Sequence, residues 1–312
     1  MKLKDTIRLF KTTFSEWSED KAARLAAALA YYTVVALAPL LVIVTAIAGL
    51  AFGHEVAQGQ IVVQLASMVG QQNAELIQDI ITSASQPKSG IIATAIGIAT
   101  LLFGASGVFG QLQDGMNTIW EVAPKPGRGV LGIVKDRFLS LTMVFGVGFL
   151  LLVSLTLSAA LAAAGKFMGG LLPLPEVVMQ ILNFIISFVV ITVLFAMIFK
   201  ILPDVKIAWG DVWIGAAMTA FLFAVGKILL GLYLGRSSVS SDYGAAGSII
   251  VILIWVYYSA QILFFGAEFT QVYANQYGSH ITPDEDALPV TEEGRAEQGI
   301  THAKNLKEAK KD

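Results

Sequence analysis

Six runs of twenty or more mostly apolar residues decide what this chain can fold into. They fall at about 25–52, 91–112, 138–164, 177–201, 211–234 and 246–270. A bilayer core about 30 Å thick needs about 20 apolar residues at 1.5 Å of helical rise each. Water is absent there, so each span must satisfy its own backbone, and a helix does so. The composition agrees. Of 312 residues, 55% are hydrophobic and 14% charged, against about 25% charged in soluble domains. The expectation is an all-α polytopic membrane protein with six transmembrane helices. The first 24 residues are polar and charged rather than a secretory leader, so the first apolar run is expected to stay as an anchor.

The distribution of lysine and arginine orients the spans. Seventeen of the 21 fall in the N-terminal segment, the second and fourth loops and the C-terminal segment. Only Lys88, Lys166 and Arg236 fall in the odd loops, and Lys227 lies inside a run. Both termini are therefore expected in the cytoplasm, as six spans require. Three regions follow: a cytoplasmic amphipathic segment over 1–24, a six-helix domain over 25–277, and a mobile charged tail over 278–312.

Residues 3–17 place Leu3, Ile7, Phe10, Phe14 and Trp17 on one helical face among basic residues. That pattern suits a helix lying on the inner membrane surface, or one packed against the bundle. The external loop over 53–90 reads as one or two amphipathic helices. Gly104, Gly107 and Gly110 form a small-residue stripe that suits close helix packing, or a backbone-lined site. Pro39 should kink the first span.

Four blocks in order resemble the YihY/BrkB family of bacterial inner-membrane proteins. They are "AAALAYYTVVALAPLL" (26–41), "LQDGMNTIWEV" (112–122), "FKILPDVKIAWGDVWIGAAMTAFLFAVGKILLGLYLG" (199–235) and "YGAAGSIIVILIWVYYSAQILFFGAEFTQVYA" (243–274). The resemblance covers all six spans and implies a six-helix protein of the inner membrane. Some members of that family carry the name ribonuclease BN, others are called virulence or serum-resistance factors, and transport has been suggested. The resemblance carries no catalytic residue onto this sequence.

The residues themselves argue against a nuclease. Metal-dependent cleavage needs several His, Asp or Glu ligands converging on an ion. The three histidines, His54, His280 and His302, fall on opposite sides of the membrane in this topology. With no cysteine, disulfides, thiolate metal sites and a cysteine nucleophile are excluded. The cytoplasmic basic residues are the ordinary positive-inside set rather than a nucleic-acid surface. No metal, cofactor, enzymatic activity or nucleic-acid partner is expected. No G-x-x-x-x-G-K-[ST] motif is present, so any energy would come from a gradient or a partner.

Ionisable and amide residues inside spans are functional candidates by default. Lys227 either snorkels to the outer headgroups or faces the interior and recognises an anion. Asn183, Tyr257 and Gln261 either line an aqueous path or hydrogen-bond between helices. Glu268 should lie near the inner edge, close in depth to Asp114, and far from Lys227. Its expected role is a salt bridge to a cation such as Arg24, Arg137 or Lys200, or, with Asp114, an inner gate or proton site. These residues suggest a transporter or permease-like protein in the lipid bilayer for a small solute, anionic on the strength of Lys227, or a lipid-linked group. The alternative is a non-transporting scaffold of the cell envelope. A homo-oligomer is left open.

Overall fold

The structure is a computed structural model that describes residues 3–37, 107–126, 176–236 and 245–300, with isolated positions between 41 and 82. Pro39, Gly104 and the expected span over 138–164 lie outside the described residues. Helix α1 (Leu3–Glu19) turns at Asp20 and Lys21 into α2 (Ala22–Val35). Residues 107–119 form α3, followed by β1 (Val122–Pro124). Then come α4 (Glu176–Ile201), β2 (Val205–Lys206), α5 (Trp209–Arg236) and α6 (Ala245–Tyr277). The chain closes with β3 (Thr282–Pro283), β4 (Ala287–Pro289) and α7 (Glu292–Glu297).

Among the described residues three helices are long and apolar enough to cross a membrane: Ile181–Ile201, Trp209–Tyr233 and Ile249–Tyr277. Their 21, 25 and 29 residues are about 31, 38 and 44 Å long at 1.5 Å per residue. They correspond to the fourth, fifth and sixth expected spans. Helix α6 is the hub, packing on α5, α2 and α1, while α5 also packs on α4. Phe264 of α6 lies fully buried in a core with Met116 and Ile119 of α3 and Phe199 of α4.

The α5–α6 contact depends on missing side chains. A Cβ at Gly215 would stand 1.8 Å from the Thr270 Oγ1, and one at Gly266 would stand 1.9 Å from the Thr219 Oγ1. The two helices thus exchange a glycine for a threonine in both directions. Each threonine hydroxyl donates to its own helix, Thr219 to the Gly215 carbonyl at 2.7 Å and Thr270 to the Gly266 carbonyl at 2.6 Å. No polar atom at the contact is stranded, and the backbones can approach closely, as helix association in lipid requires. In the small-residue stripe, a Cβ at Gly107 would make an ordinary contact with Tyr32, and one at Gly110 would meet nothing within 4 Å among the described residues.

Helix α1 meets the bundle through part of the face its pattern suggests, Phe10 and Trp17, together with Leu9. Leu9 is fully buried against Phe269 and Val272, with Phe10 beside Phe269 at 5.5 Å between ring centres. Leu3, Ile7 and Phe14 stay exposed. Helix α1 therefore packs on α6 and still presents apolar side chains outward.

The expected mobile tail needs correction over 278–300. That segment crosses one end of the bundle and pairs with two connections. Strand β3 pairs antiparallel with β2, Val205 opposite Pro283. Strand β4 pairs antiparallel with β1, Val122 opposite Pro289. Lys206 adds an ion pair to Glu285 at 3.3 Å. At the start of the segment Asp211 accepts hydrogen bonds from the Ser279 amide at 2.9 Å and its hydroxyl at 2.7 Å. Paucity of large apolar residues suggested disorder. Backbone pairing to loops and buried Ala287, Arg295 and Ile300 hold the segment instead. We call it the strap.

Candidate functional site

The strap ends in α7, whose start is fixed by Thr291, an N-cap hydroxyl accepting from the Gly294 amide at 3.2 Å. One turn of helix then carries Arg295 into the bundle end, where it is 1% exposed. Its guanidinium forms a close ion pair with Asp20 and a second with Glu121, Nη1 to Oε1 at 3.1 Å. Asp20 sits in the α1–α2 turn, which Lys21 closes in the left-handed region at φ 54°. Glu121, also left-handed at φ 56°, ends α3. Its carbonyl accepts from the Val290 amide at 2.8 Å, which sets the strap beside it. Two separate segments thus converge on one cation carried by a third.

Behind Asp20 lies Glu268 of α6, 1% exposed. The two carboxyl groups lie against each other. The Glu268 Oε1 has no partner among the described residues. Burial pushes the Asp20 carboxyl up to about 6, against the opposing pull of Arg295. Burial also works against the charge on Arg295, but Asp20 and Glu121 outweigh it and raise its pKa further.

A neighbouring polar lock positions α3. The Asp204 carboxylate accepts from Asn117 at 3.0 Å and Gln113 at 3.4 Å, while its amide donates to the Asn117 Oδ1 at 2.9 Å. Between this lock and α7 lies a pocket of about 200 Å³ lined by Asp114, Asn117, Thr118, Arg295, Gln298 and Ile300, among others. Among the described residues no group of His, Cys, Asp and Glu is arranged to hold a metal ion.

The residues picked from sequence fall in different places. Lys227 is exposed on α5 between exposed Val225, Ile228 and Leu229, an arrangement that suits snorkelling and not an inward anion site. Asn183 is exposed on α4. Tyr257 packs against the central core. Gln261, four residues on, lines an apolar groove of about 320 Å³ with Phe14, Trp17 and Tyr258. The structure therefore does not gather Lys227, Asn183, Tyr257 and Gln261 around one cavity of the described residues. Asp114 does lie beside Arg295 in the 200 Å³ pocket.

Among the described residues no cation pairs with Glu268. Lys200 donates to the Ile207 carbonyl and lies 5.8 Å from the Trp209 ring centre. Arg24 is exposed, and Arg137 is outside the described residues. The α1–α2 turn delivers Asp20 to Glu268 instead, so a carboxyl faces a carboxyl. Sequence reasoning missed Asp20, Glu121 and Arg295. Glu121 stood inside the quoted block over 112–122, but nothing local marked its partners, which are 101 and 174 positions away.

Comparison with known proteins adds the family. A family model described as "Virulence factor BrkB" matches residues 13–290. A UPF0761 membrane protein of Albidiferax ferrireducens is 28% identical over 263 residues, 82% of this chain and 60% of that protein. One from Rhodospirillum centenum is 25% identical over 86% of this chain and 58% of its own. One from Teredinibacter turnerae is 26% identical over 91% of this chain and 64% of its own. The chain thus spans about three fifths of the length of these relatives. No solved structure matches. With apolar helices of spanning length and a match over most of its residues, the chain is a membrane protein that belongs to the YihY/BrkB family.

Proposed function

We propose that the protein is a transporter of a small solute or lipid-linked group, with six spans in a bacterial inner membrane and both termini cytoplasmic. In this reading the strap and the Asp20–Glu121–Glu268–Arg295 cluster form its inner gate. It works without a cofactor, is not an enzyme, and its partners are the bilayer and the solute rather than nucleic acid. The observation that carries the reading is Glu268. It is a carboxyl group buried within a membrane-length helix, set against a second carboxyl, with one oxygen unpartnered among the described residues. Such a group costs stability in a bundle that could have used an apolar residue, and an ionisable side chain inside a span marks an ion or substrate path by default. A gate gives the expense a purpose, because a strap held by ion pairs can open.

One observation favours a non-transporting envelope scaffold: Lys227 and Asn183 are exposed rather than turned inward. Thiol labelling separates the two readings, since the chain has no cysteine of its own. Single cysteines would replace Tyr257, in the core, and Ile228, on the outer face of α5. Each would be treated with a membrane-impermeant reagent from either side. A transporter predicts that the Tyr257 position labels faster than the Ile228 position. Equal, negligible labelling at both would leave the scaffold as the better description.

A further inference from the structure

The cluster has more acid than the ion pairs use. Asp20 faces Glu268 and Glu121, Glu16 lies near Glu268, and Arg295 is the one cation paired with Asp20 among the described residues. Glu292 of α7 adds another acidic group near Arg295. Two buried carboxyl groups set against each other do not both stay ionised, because their like charges repel in a site that water does not screen, so one of them holds a proton. The site is dry enough to hold that proton: Asp20 is 2% exposed, Glu268 1% and Arg295 1%.

We infer that Asp20 and Glu268 form a proton-binding pair, and that Arg295 competes for the same Asp20 carboxylate, so that a second proton releases the strap. In the resting arrangement the Glu268 hydroxyl donates to the Asp20 carboxylate, whose other interaction is with the Arg295 guanidinium. A further proton from water neutralises Asp20. Arg295 then keeps Glu121 but loses its most buried partner, and α7 loosens over the 200 Å³ pocket that Arg295 and Ile300 line. The only bond formed is the new O–H of Asp20, its proton supplied by hydronium from bulk solvent, and no other reactant is needed. Burial already pushes Asp20 up to about 6, which brings the second protonation near physiological pH. As the coupling site of a transporter the pair rests on the preceding reading. As a proton site it stands alone, and the measurements below need no solute.

Infrared difference spectra of the full chain in lipid nanodiscs test the pair. At pH 8 a protonated carboxylic-acid carbonyl band should be present, vanish in Glu268→Gln and shift in Asp20→Asn. The Asp20→Asn variant keeps the test decisive if Glu268→Gln fails to fold. A wild-type spectrum without the band, or a band unmoved by both substitutions, overturns the pair. The release is tested by thiol labelling of Ile300→Cys, divided by the rate at exposed Gln298→Cys to cancel the pH dependence of the thiol. The ratio should rise about tenfold between pH 7 and pH 5, the change set by a single carboxyl titrating between those values. A flat ratio overturns the release. Success here with no aqueous access at Tyr257 would retain the proton latch and remove the transporter.

Discussion

At the scale of single residues, Arg295 and Asp20 make opposite and checkable demands. Removing one partner of a buried pair leaves an uncompensated charge, at a cost of about 3–5 kcal/mol. Arg295→Leu should therefore lower the melting temperature strongly at pH 8. Much of the loss should return at pH 5, where Asp20 is protonated and no longer needs a cation. Asp20 itself gives a pH slope with a definite sign. Its pKa of about 6 lies above the ordinary carboxylate value, so the folded protein binds the proton more tightly than the unfolded chain. The stabilisation is fully present below the unfolded value and is lost as pH rises towards 6. The difference corresponds to ~3 kcal/mol. Asp20→Asn should flatten that slope in thermal melts between pH 4 and pH 7. The acid cluster was only half visible beforehand. Glu268 announced itself because a charge inside an apolar run is conspicuous. Asp20 and Arg295 sat in polar surroundings where charges are ordinary, and only the fold buries them.

At the scale of elements, the α5–α6 contact and the strap follow different physics. The helix contact is steric and local in depth. Adding a methyl group at Gly266 drives it into the Thr219 hydroxyl, and overpacking of this kind costs about 1–3 kcal/mol. Gly266→Ala should lower stability in nanodiscs, and Thr219→Gly in the same chain should restore part of it. A double-mutant cycle should show coupling of about 1 kcal/mol or more, because the two groups touch. The strap instead depends on hydrogen bonds and ion pairs at its two ends. Asp211→Ala removes the acceptor that holds the Ser279 amide and hydroxyl. Hydrogen exchange over residues 279–290 should accelerate while the α5 and α6 amides stay protected. The α5–α6 register was latent in the sequence, since Gly215, Thr219, Gly266 and Thr270 share a four-residue spacing. What the spacing lacked was the pairing of the two motifs, which depends on where the helices cross.

At the scale of the whole molecule, the charge bias and the strap make one joint prediction. If the basic loops lie inside, the strap that pairs with them lies inside too. A cysteine at exposed Gln298 should then label only from the cytoplasmic face of oriented vesicles. Labelling from the other face would reverse the whole topology. The sequence by itself determined that the chain is helical and lives in a membrane. That follows from apolar run length, because a spanning segment must satisfy its backbone internally whatever its neighbours do. It also located the ends of α4 and α5 to within a few residues, since composition changes abruptly at the bilayer edge. Only the tertiary structure decided which polar residues meet. It set Lys227 outward and folded a segment that composition marked as mobile. The physical reason is range. Hydropathy is a property of neighbours along the chain, whereas the Asp20–Arg295 pair closes a separation of 275 residues, and no local pattern carries that information.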